Sequence, residues 1–128
     1  MAIAQGNERT KLPPDHPLIG SWRLDLPRVG CFELYHISAN GTMQVTSGEQ
    51  SSESEVTISP TANAKGFYLW QDKIVKDNGK PDCMGHVMQV GNESTNFIML
   101  DPNGRRFRMC QAEDEDRCIG PFIKQEGI

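Results

Sequence analysis

Methionine and histidine alternate in the segment Met84-Gly85-His86-Val87-Met88. On a β-strand, side chains two positions apart project from the same face, so Met84, His86 and Met88 would point in one direction. Thioether and imidazole groups are suitable ligands for Cu(I), which makes soft-metal binding one interpretation. Methionine also fills irregular apolar space, so the same pattern fits a packed barrel wall or a ligand contact. The sequence leaves these alternatives open, and we expect no cofactor.

Four consecutive carboxylates, Glu113-Asp114-Glu115-Asp116, lie between Cys110 and Cys118. A short loop with this charge forms a focused negative patch. The run lacks the alternating ligands and the glycine turn of a calcium loop, so it is not typical of a Ca²⁺ site. It suits a protein partner with a cationic cleft, as in inhibitor and immunity proteins. A solvated surface loop is the other interpretation, since most charge runs are of that kind.

Two arginines, Arg106 and Arg108, share one face of a predicted strand that precedes the acidic run. Paired guanidinium groups suit a carboxylate, so an anion bound inside a barrel is one interpretation. Ion pairs with the neighbouring acidic residues are the other.

His36 shares a predicted strand face with Phe32 and Leu34, and we expect all three to point into the protein. An imidazole there can hydrogen-bond a ligand or act as a base. His36 and His86 are therefore the candidates if the protein is an enzyme. The sequence contains no nucleophile elbow, no phosphate-binding glycine loop and no His-Glu-x-x-His motif. These observations favour a non-catalytic protein.

The elements that would position these residues are short strands. Apolar and polar side chains alternate from Leu18 to Leu26, and comparable segments follow with turn residues between them. Asn40-Gly41 is a strong hairpin signal, and residues 48–54 are predicted to form a polar loop. We predict an all-β fold, a small antiparallel up-and-down β-barrel of about eight or nine strands, with a β-sandwich as the alternative. The further predicted strands are 31–38, 42–47, 55–59, 66–75, 83–90, 95–100, 105–110 and 118–124.

The 128 residues fit one domain, which we place at residues 16–128 after a loose N-terminal arm at residues 1–15. The formal net charge is −4. Nucleic acid is not expected as a partner, because binding its phosphates requires a basic surface. No stretch approaches the roughly 20 apolar residues of a membrane-spanning helix, so we expect no membrane span.

The four cysteines, Cys31, Cys83, Cys110 and Cys118, bear on the compartment. An even number in a small β-rich chain fits two disulfides and an oxidising compartment. Cys110 and Cys118 flank one polar loop, so their pairing would leave Cys31 with Cys83. Buried free thiols in a cytoplasmic protein and a metal site are the alternatives. We favour a mature periplasmic or secreted protein, with a cytoplasmic location as the alternative.

The tripeptide Gly20-Ser21-Trp22 at the start of the first strand resembles the Gly-x-Trp pattern of the lipocalin and calycin group. The resemblance implies a small meander barrel with Trp22 buried at one end. It also implies that an arginine from a late strand, Arg106 or Arg108, packs over the indole ring. The region 20–48 and the segment 118–122 are similar to small uncharacterised bacterial exported proteins, which implies export.

Taken together, these patterns predict a non-catalytic barrel that binds a small apolar or amphipathic ligand. The alternatives are a protein-interaction module that uses the loop at residues 111–117, a copper-binding protein, and a barrel enzyme. The candidate ligand-binding residues are Trp22, Phe32, Leu34, His36, Phe67, Met84, His86, Met88, Arg106 and Arg108.

Overall fold

The computed structural model describes residues 11–126 of the chain. Within this range eight strands form a closed barrel, in which each strand pairs antiparallel with the next and β8 pairs with β1. The predicted up-and-down barrel is therefore confirmed. The strands are β1 (Gly20–Leu26), β2 (Cys31–Ile37), β3 (Thr42–Ser47), β4 (Gln50–Ile58), β5 (Tyr68–Asp77), β6 (Glu93–Leu100), β7 (Arg106–Cys110) and β8 (Cys118–Gln125). Short 3₁₀ turns at Pro27–Val29 and Glu115–Arg117 precede β2 and β8.

The first hairpins follow the local sequence signals closely. Trp22 and Leu24 are buried, whereas Asp25, the neighbour of Leu24, is exposed, as the alternation in β1 predicts. The β2–β3 turn places Gly41 at a φ of 86°, and the Asn40 side chain accepts a hydrogen bond from the Thr42 N–H at 3.0 Å. An Asn-Gly turn therefore joins these strands, since glycine tolerates positive φ without steric cost.

Two segments differ from the prediction. The predicted polar loop at 48–54 is wrong, because β4 already begins at Gln50. Ser52 and Ser54 occupy inward positions of this strand, which an apolar alternation pattern does not detect. The predicted strand at 83–90 is also wrong, because no strand covers these residues. Met84, His86 and Met88 therefore do not alternate along a strand face, and the geometric basis of the predicted copper site is lost.

Strand β2 faces the opposite way from the prediction. Ile37 is buried and Tyr35 is half-buried, whereas Phe32 is 42% and Leu34 is 37% exposed. Phe32, Leu34 and His36 therefore lie on the outer wall of the barrel. The pairing register sets this orientation, because Tyr35 stands opposite the inward-facing Trp22 of β1 and Val45 of β3.

Aromatic rings fill one half of the barrel interior. Phe107 and Phe122 are stacked with centroids 4.5 Å apart, and the Trp22 ring meets Phe107 edge-on at 4.7 Å. Tyr35 contacts Phe122 edge-on at 5.3 Å, at the border between this stack and the other half of the barrel interior. Such ring pairs stabilise a core beyond the simple burial of their area. We call the end with Trp22 the closed end.

The residues before β1 cover the closed end. Leu12 and Leu18 are buried there, and Leu18 accepts a hydrogen bond from Trp22 Nε1 at 3.0 Å through its carbonyl oxygen. His16 is also buried, at 4% exposed, and its Nε2 lies 2.8 Å from the Ser59 carbonyl oxygen. The part of the predicted arm that the structure describes thus packs on the barrel; residues 1–10 lie outside the described residues.

The cation that packs over Trp22 is a lysine and not an arginine. Lys124 Nζ lies 4.9 Å from the Trp22 ring centroid and donates to the Ile19 carbonyl oxygen at 2.9 Å. Gly20 has a φ of 129°, and a Cβ at this position would lie 3.1 Å from Lys124 Nζ. The glycine of the Gly-x-Trp pattern is therefore needed both for its backbone conformation and for the approach of the lysine. The prediction that Arg106 or Arg108 packs over Trp22 is therefore wrong.

Both disulfides of the preferred pairing are present, Cys31–Cys83 and Cys110–Cys118. Two disulfides fit an oxidising compartment. Among the described residues, no helix is long and apolar enough to span a membrane.

Candidate functional site

The half of the barrel opposite the closed end contains a cavity of about 230 Å³. It lies between the inward faces of β2 to β7, at the end where residues 78–92 connect β5 to β6. We call residues 78–92 the covering loop. The polar residues of the wall are Glu33, Tyr35, Gln50, Ser52, Ser54, Asp72, Asp82, Ser94 and Asn96. Apolar side chains form the rest: Met43, Val45, Trp70, Ile74, Met88 and Met109.

Glu33 is the centre of a hydrogen-bond network in the wall. The Tyr35 hydroxyl donates to Glu33 Oε1 at 2.8 Å, and the Ser47 hydroxyl donates to Glu33 Oε2 at 2.6 Å. Burial raises the pKa of Tyr35 well above its usual value, and the negative charges of Glu33, Asp72 and Asp82 raise it further. Tyr35 therefore stays a neutral phenol that donates its hydrogen to Glu33.

Asp72 is the second carboxylate of the wall. It lies on β5 between Trp70 and Ile74 in the inward alternation, and its Oδ2 accepts a hydrogen bond from Trp70 Nε1 at 2.7 Å. Burial raises the pKa of Asp72, and the hydrogen bond from Trp70 opposes this effect only in part. A partly buried carboxylate without a cationic neighbour is unfavourable for folding, and such groups are concentrated at functional sites.

The covering loop is fixed to the barrel by covalent and polar contacts. The Cys31–Cys83 disulfide joins it to the start of β2, and the Cys83 N–H donates to Ser47 Oγ at 3.0 Å. Asp82 Oδ1 accepts the backbone N–H groups of Met84 and His86, both at 2.9 Å. Asp82 and Met88 of this loop line the cavity. Ser47 thus connects the loop to Glu33 inside the barrel.

A surface hollow adjoins the cavity between β6 and the loop at 111–117. Asn96 and Met109 line the cavity and also a surface hollow of about 440 Å³. The hollow exists because β6 pairs with β7 only from Phe97 onward, so residues 93–96 have no partner on that side. Asp116 and Arg117 border it.

No family model, curated protein or solved structure matches this chain. The geometry of the cavity is therefore the basis for a functional assignment.

Of the predicted site residues, the structure places Met88 in the cavity wall. Trp22 and Phe67 are buried elsewhere: Trp22 in the aromatic stack and Phe67 just before β5. Met84 is 58% exposed on the covering loop, and His86 is exposed beside it. The predicted cluster of Met84, His86 and Met88 is thus divided between the surface and the interior.

Phe32, Leu34 and His36 do lie together, but on the outer wall. With Arg23 they border an open groove of about 460 Å³ on the outer face of β1 to β3. The Arg23 guanidinium carbon lies 4.0 Å from the Phe32 ring centroid, and His36 Nδ1 lies 2.8 Å from Ser21 Oγ. Neither His36 nor His86 lines the cavity, so the two imidazoles named for a barrel enzyme do not act in its interior.

The two arginines are engaged in ion pairs and local contacts outside the cavity. Arg106 Nε donates to Asp101 at 3.1 Å. Arg108 contacts Met99 Sδ at 3.0 Å and lies 3.6 Å from Glu115. The predicted pairing with the acidic run is thus confirmed for Arg108. The predicted anion site inside the barrel is wrong, because no cationic side chain lines the cavity among the described residues.

The acidic run is also held by its neighbours. Glu113 accepts a hydrogen bond from Asn63 at 2.6 Å and lies 3.6 Å from Lys65 Nζ. Asp114 caps the 3₁₀ turn by accepting the Asp116 N–H at 2.9 Å. Binding of a protein partner through Glu113-Asp116 stays a prediction.

The sequence reasoning missed Glu33, Tyr35 and Asp72. The signal for Asp72 was nevertheless present, because Trp70, Asp72 and Ile74 occupy one face of a clear strand. A carboxylate in the apolar set of an alternating strand is unusual and indicates a functional position.

Replacing Asp72 with asparagine should stabilise the protein at pH 7 by about 0.5–1 kcal/mol, a gain typical of removing a functional but unfavourable group. The asparagine oxygen can still accept the Trp70 Nε1–H bond. Because the folded state holds the Asp72 proton more tightly than the unfolded state, ionisation of Asp72 opposes folding as pH rises above its ordinary pKa of about 3.9. The advantage of the variant should therefore vanish in acid and grow toward pH 7.

Urea unfolding of wild type and Asp72→Asn at several pH values measures this difference. Asp25→Asn is the matched control, because Asp25 is exposed on the outer wall and pairs with Arg23. A loss of stability in Asp72→Asn at pH 7 would contradict the prediction.

Proposed function

We propose that this protein is a non-catalytic, lipocalin-like binding protein that holds a small amphipathic ligand in the cavity beneath the covering loop. The observation that carries the proposal is that one cavity wall combines the carboxylates Glu33 and Asp72 with apolar side chains such as Met43 and Ile74. Pockets with apolar walls and a few directed polar groups are typical of ligand sites.

The filled half of the barrel supports this assignment. The aromatic stack closes one end, so the cavity is bounded on that side by packed rings. All fully buried side-chain nitrogen and oxygen atoms of the described residues have hydrogen-bond partners. The remaining polar capacity in the wall is therefore accessible to a ligand or to water. A volume of about 230 Å³ suits a compact ligand.

The two disulfides support a periplasmic or secreted location for such a binding protein. Both lie at the end that contains the cavity: one holds the covering loop, and the other closes the loop at 111–117. A periplasmic or secreted binding protein gains from such cross-links, because they persist where thiols are oxidised.

Binding of simple amphipathic probes should be detectable and should depend on cavity space. The probes are phenethylamine, 2-phenylethanol and phenylacetate, together with hexylamine, hexanol and hexanoate. We expect one or more of them to change the emission of Trp70 and to shift its indole N–H resonance, since this side chain lines the cavity. Ser52→Leu should weaken this binding at least tenfold, because the larger side chain occupies the cavity.

Ser51→Leu is the matched control. Ser51 is the exposed neighbour of Ser52 on the same strand, so its side chain faces away from the cavity. The same substitution there should leave probe binding unchanged. The proposal fails if no probe binds the folded wild type, or if Ser51→Leu and Ser52→Leu weaken binding equally.

A further inference from the structure

We propose that the ligand of this cavity is an organic cation, a protonated amine attached to a compact apolar body. This inference rests on the proposed function and names the chemical class of its ligand.

The charged groups in the wall are all negative. Glu33, Asp72 and Asp82 line the cavity, and no lysine, arginine or histidine does so among the described residues. The ion pairs found in residues 11–126 involve other acidic groups, on the outer wall and the loops. A positive group of the ligand would supply the missing counter-charge and would be attracted to these carboxylates at short distance.

Two hydrogen-bond donors of the wall are already directed at these carboxylates. The Tyr35 hydroxyl is used by Glu33, and the Trp70 indole N–H is used by Asp72. A carboxylate oxygen can accept more than one hydrogen bond, so acceptor capacity is left over. A ligand that brings several N–H donors, as an ammonium group does, fits this surplus. A carboxylate ligand would meet the negative charges of Glu33, Asp72 and Asp82.

The arrangement fits an organic cation better than a metal ion. Among the described residues, no three His, Cys, Asp or Glu side chains lie close enough together to hold a metal. The carboxylates share the wall with apolar side chains such as Ile74 and Met88. Those apolar groups would contact the carbon body of the ligand while its ammonium group is near Asp72. Methionine in particular adapts to ligands of varied shape.

The probe series described above tests this inference, because its members share a carbon body and differ in the head group. A primary amine with a pKa similar to that of lysine is protonated at pH 7. We expect phenethylamine and hexylamine to bind about tenfold more tightly than the matching alcohols, and the carboxylates to bind most weakly. Titrations followed by nuclear magnetic resonance give these affinities directly.

Asp72→Asn tests the assigned counter-charge. It should reduce the affinity for the amines about tenfold and leave the affinity for the alcohols unchanged. Glu93→Gln is the matched control, because it also removes one negative charge but lies on the exposed outer face of β6. It should not alter the preference for amines.

The outcomes separate the two proposals. Equal binding of alcohols and amines in the cavity, or a preference for the carboxylates, overturns the proposal that the ligand is an organic cation. The proposed binding function would remain. A preference for amines that persists in Asp72→Asn overturns the assignment of Asp72 as the counter-charge. Loss of the preference in Glu93→Gln overturns it too, because Glu93 lies outside the cavity. Failure of every probe to bind contradicts both proposals.

Discussion

Trp22→Ala should destabilise the protein by about 3–5 kcal/mol, the cost typical of removing a large buried aromatic side chain. Trp22 has no exposed surface, meets Phe107 edge-on and anchors Leu18 through its indole N–H. Alanine would leave a void beneath Lys124 and next to the stacked rings, where the closed barrel cannot collapse easily. The loss is a large fraction of the total stability of a domain of this size.

Trp22→Phe separates the two contributions of this residue. It keeps most of the ring packing but loses the hydrogen bond to Leu18, for which a loss of about 1 kcal/mol is expected in addition to the smaller volume. Leu69→Ala is the surface control, since Leu69 is 39% exposed on the outer wall. Urea unfolding followed by circular dichroism measures all three variants. Comparable losses for Trp22→Ala and Leu69→Ala would show that the closed end is not the core of the fold.

Replacing Cys31 and Cys83 together with serine should cost about 4 kcal/mol if the disulfide acts mainly on the entropy of the unfolded chain. This bond closes a sequence separation of 52 residues, whereas Cys110–Cys118 closes one of 8 residues. The same reasoning gives about 2.5 kcal/mol for Cys110→Ser with Cys118→Ser. The larger effect therefore belongs to the bond that holds the covering loop.

The first double variant should also release the covering loop from the barrel. Without the bond, residues 78–92 are held to the barrel by hydrogen bonds alone, such as those from the Cys83 N–H to Ser47 Oγ and from the Glu49 N–H to the Pro81 carbonyl oxygen. Faster amide exchange in this loop, but not in β6 to β8, is the expected signature, and probe binding should weaken with it. Cys110→Ser with Cys118→Ser is the control, because it loosens the other loop. Unchanged exchange at 78–92 would contradict a fixing role for Cys31–Cys83.

Prediction from the sequence succeeded where the determinants were local. Asn40-Gly41 predicted its hairpin, and the alternation around Trp22 predicted which side of β1 is buried. It failed where both faces of a strand carry apolar residues. In β2 the set Phe32, Leu34 and His36 looks more apolar than the set Glu33, Tyr35 and Ile37, yet the second set faces inward. A shift of one residue in register exchanges these faces, and no local pattern decides between them.

The candidate site was hidden from the sequence for the same reason. Carboxylates such as Glu33 and Asp72 are usually exposed, so an alternation pattern assigns them to the outer wall. The serines at 52 and 54 look like a polar loop and not like the lining of a cavity. Met88 was the predicted site residue that reached the cavity, and it did so through a loop rather than a strand.

The sequence by itself determined the all-β architecture and the Gly20-Ser21-Trp22 anchor, and it favoured the disulfide pairing that the structure contains. These features depend on backbone preferences and on residues near each other in the chain. The tertiary structure alone decided which side of β2 faces inward, which half of the barrel is filled by aromatic rings, and which half is left as a cavity. Those outcomes depend on the joint register of eight strands closed into a ring, and every inward side chain competes there for the same space.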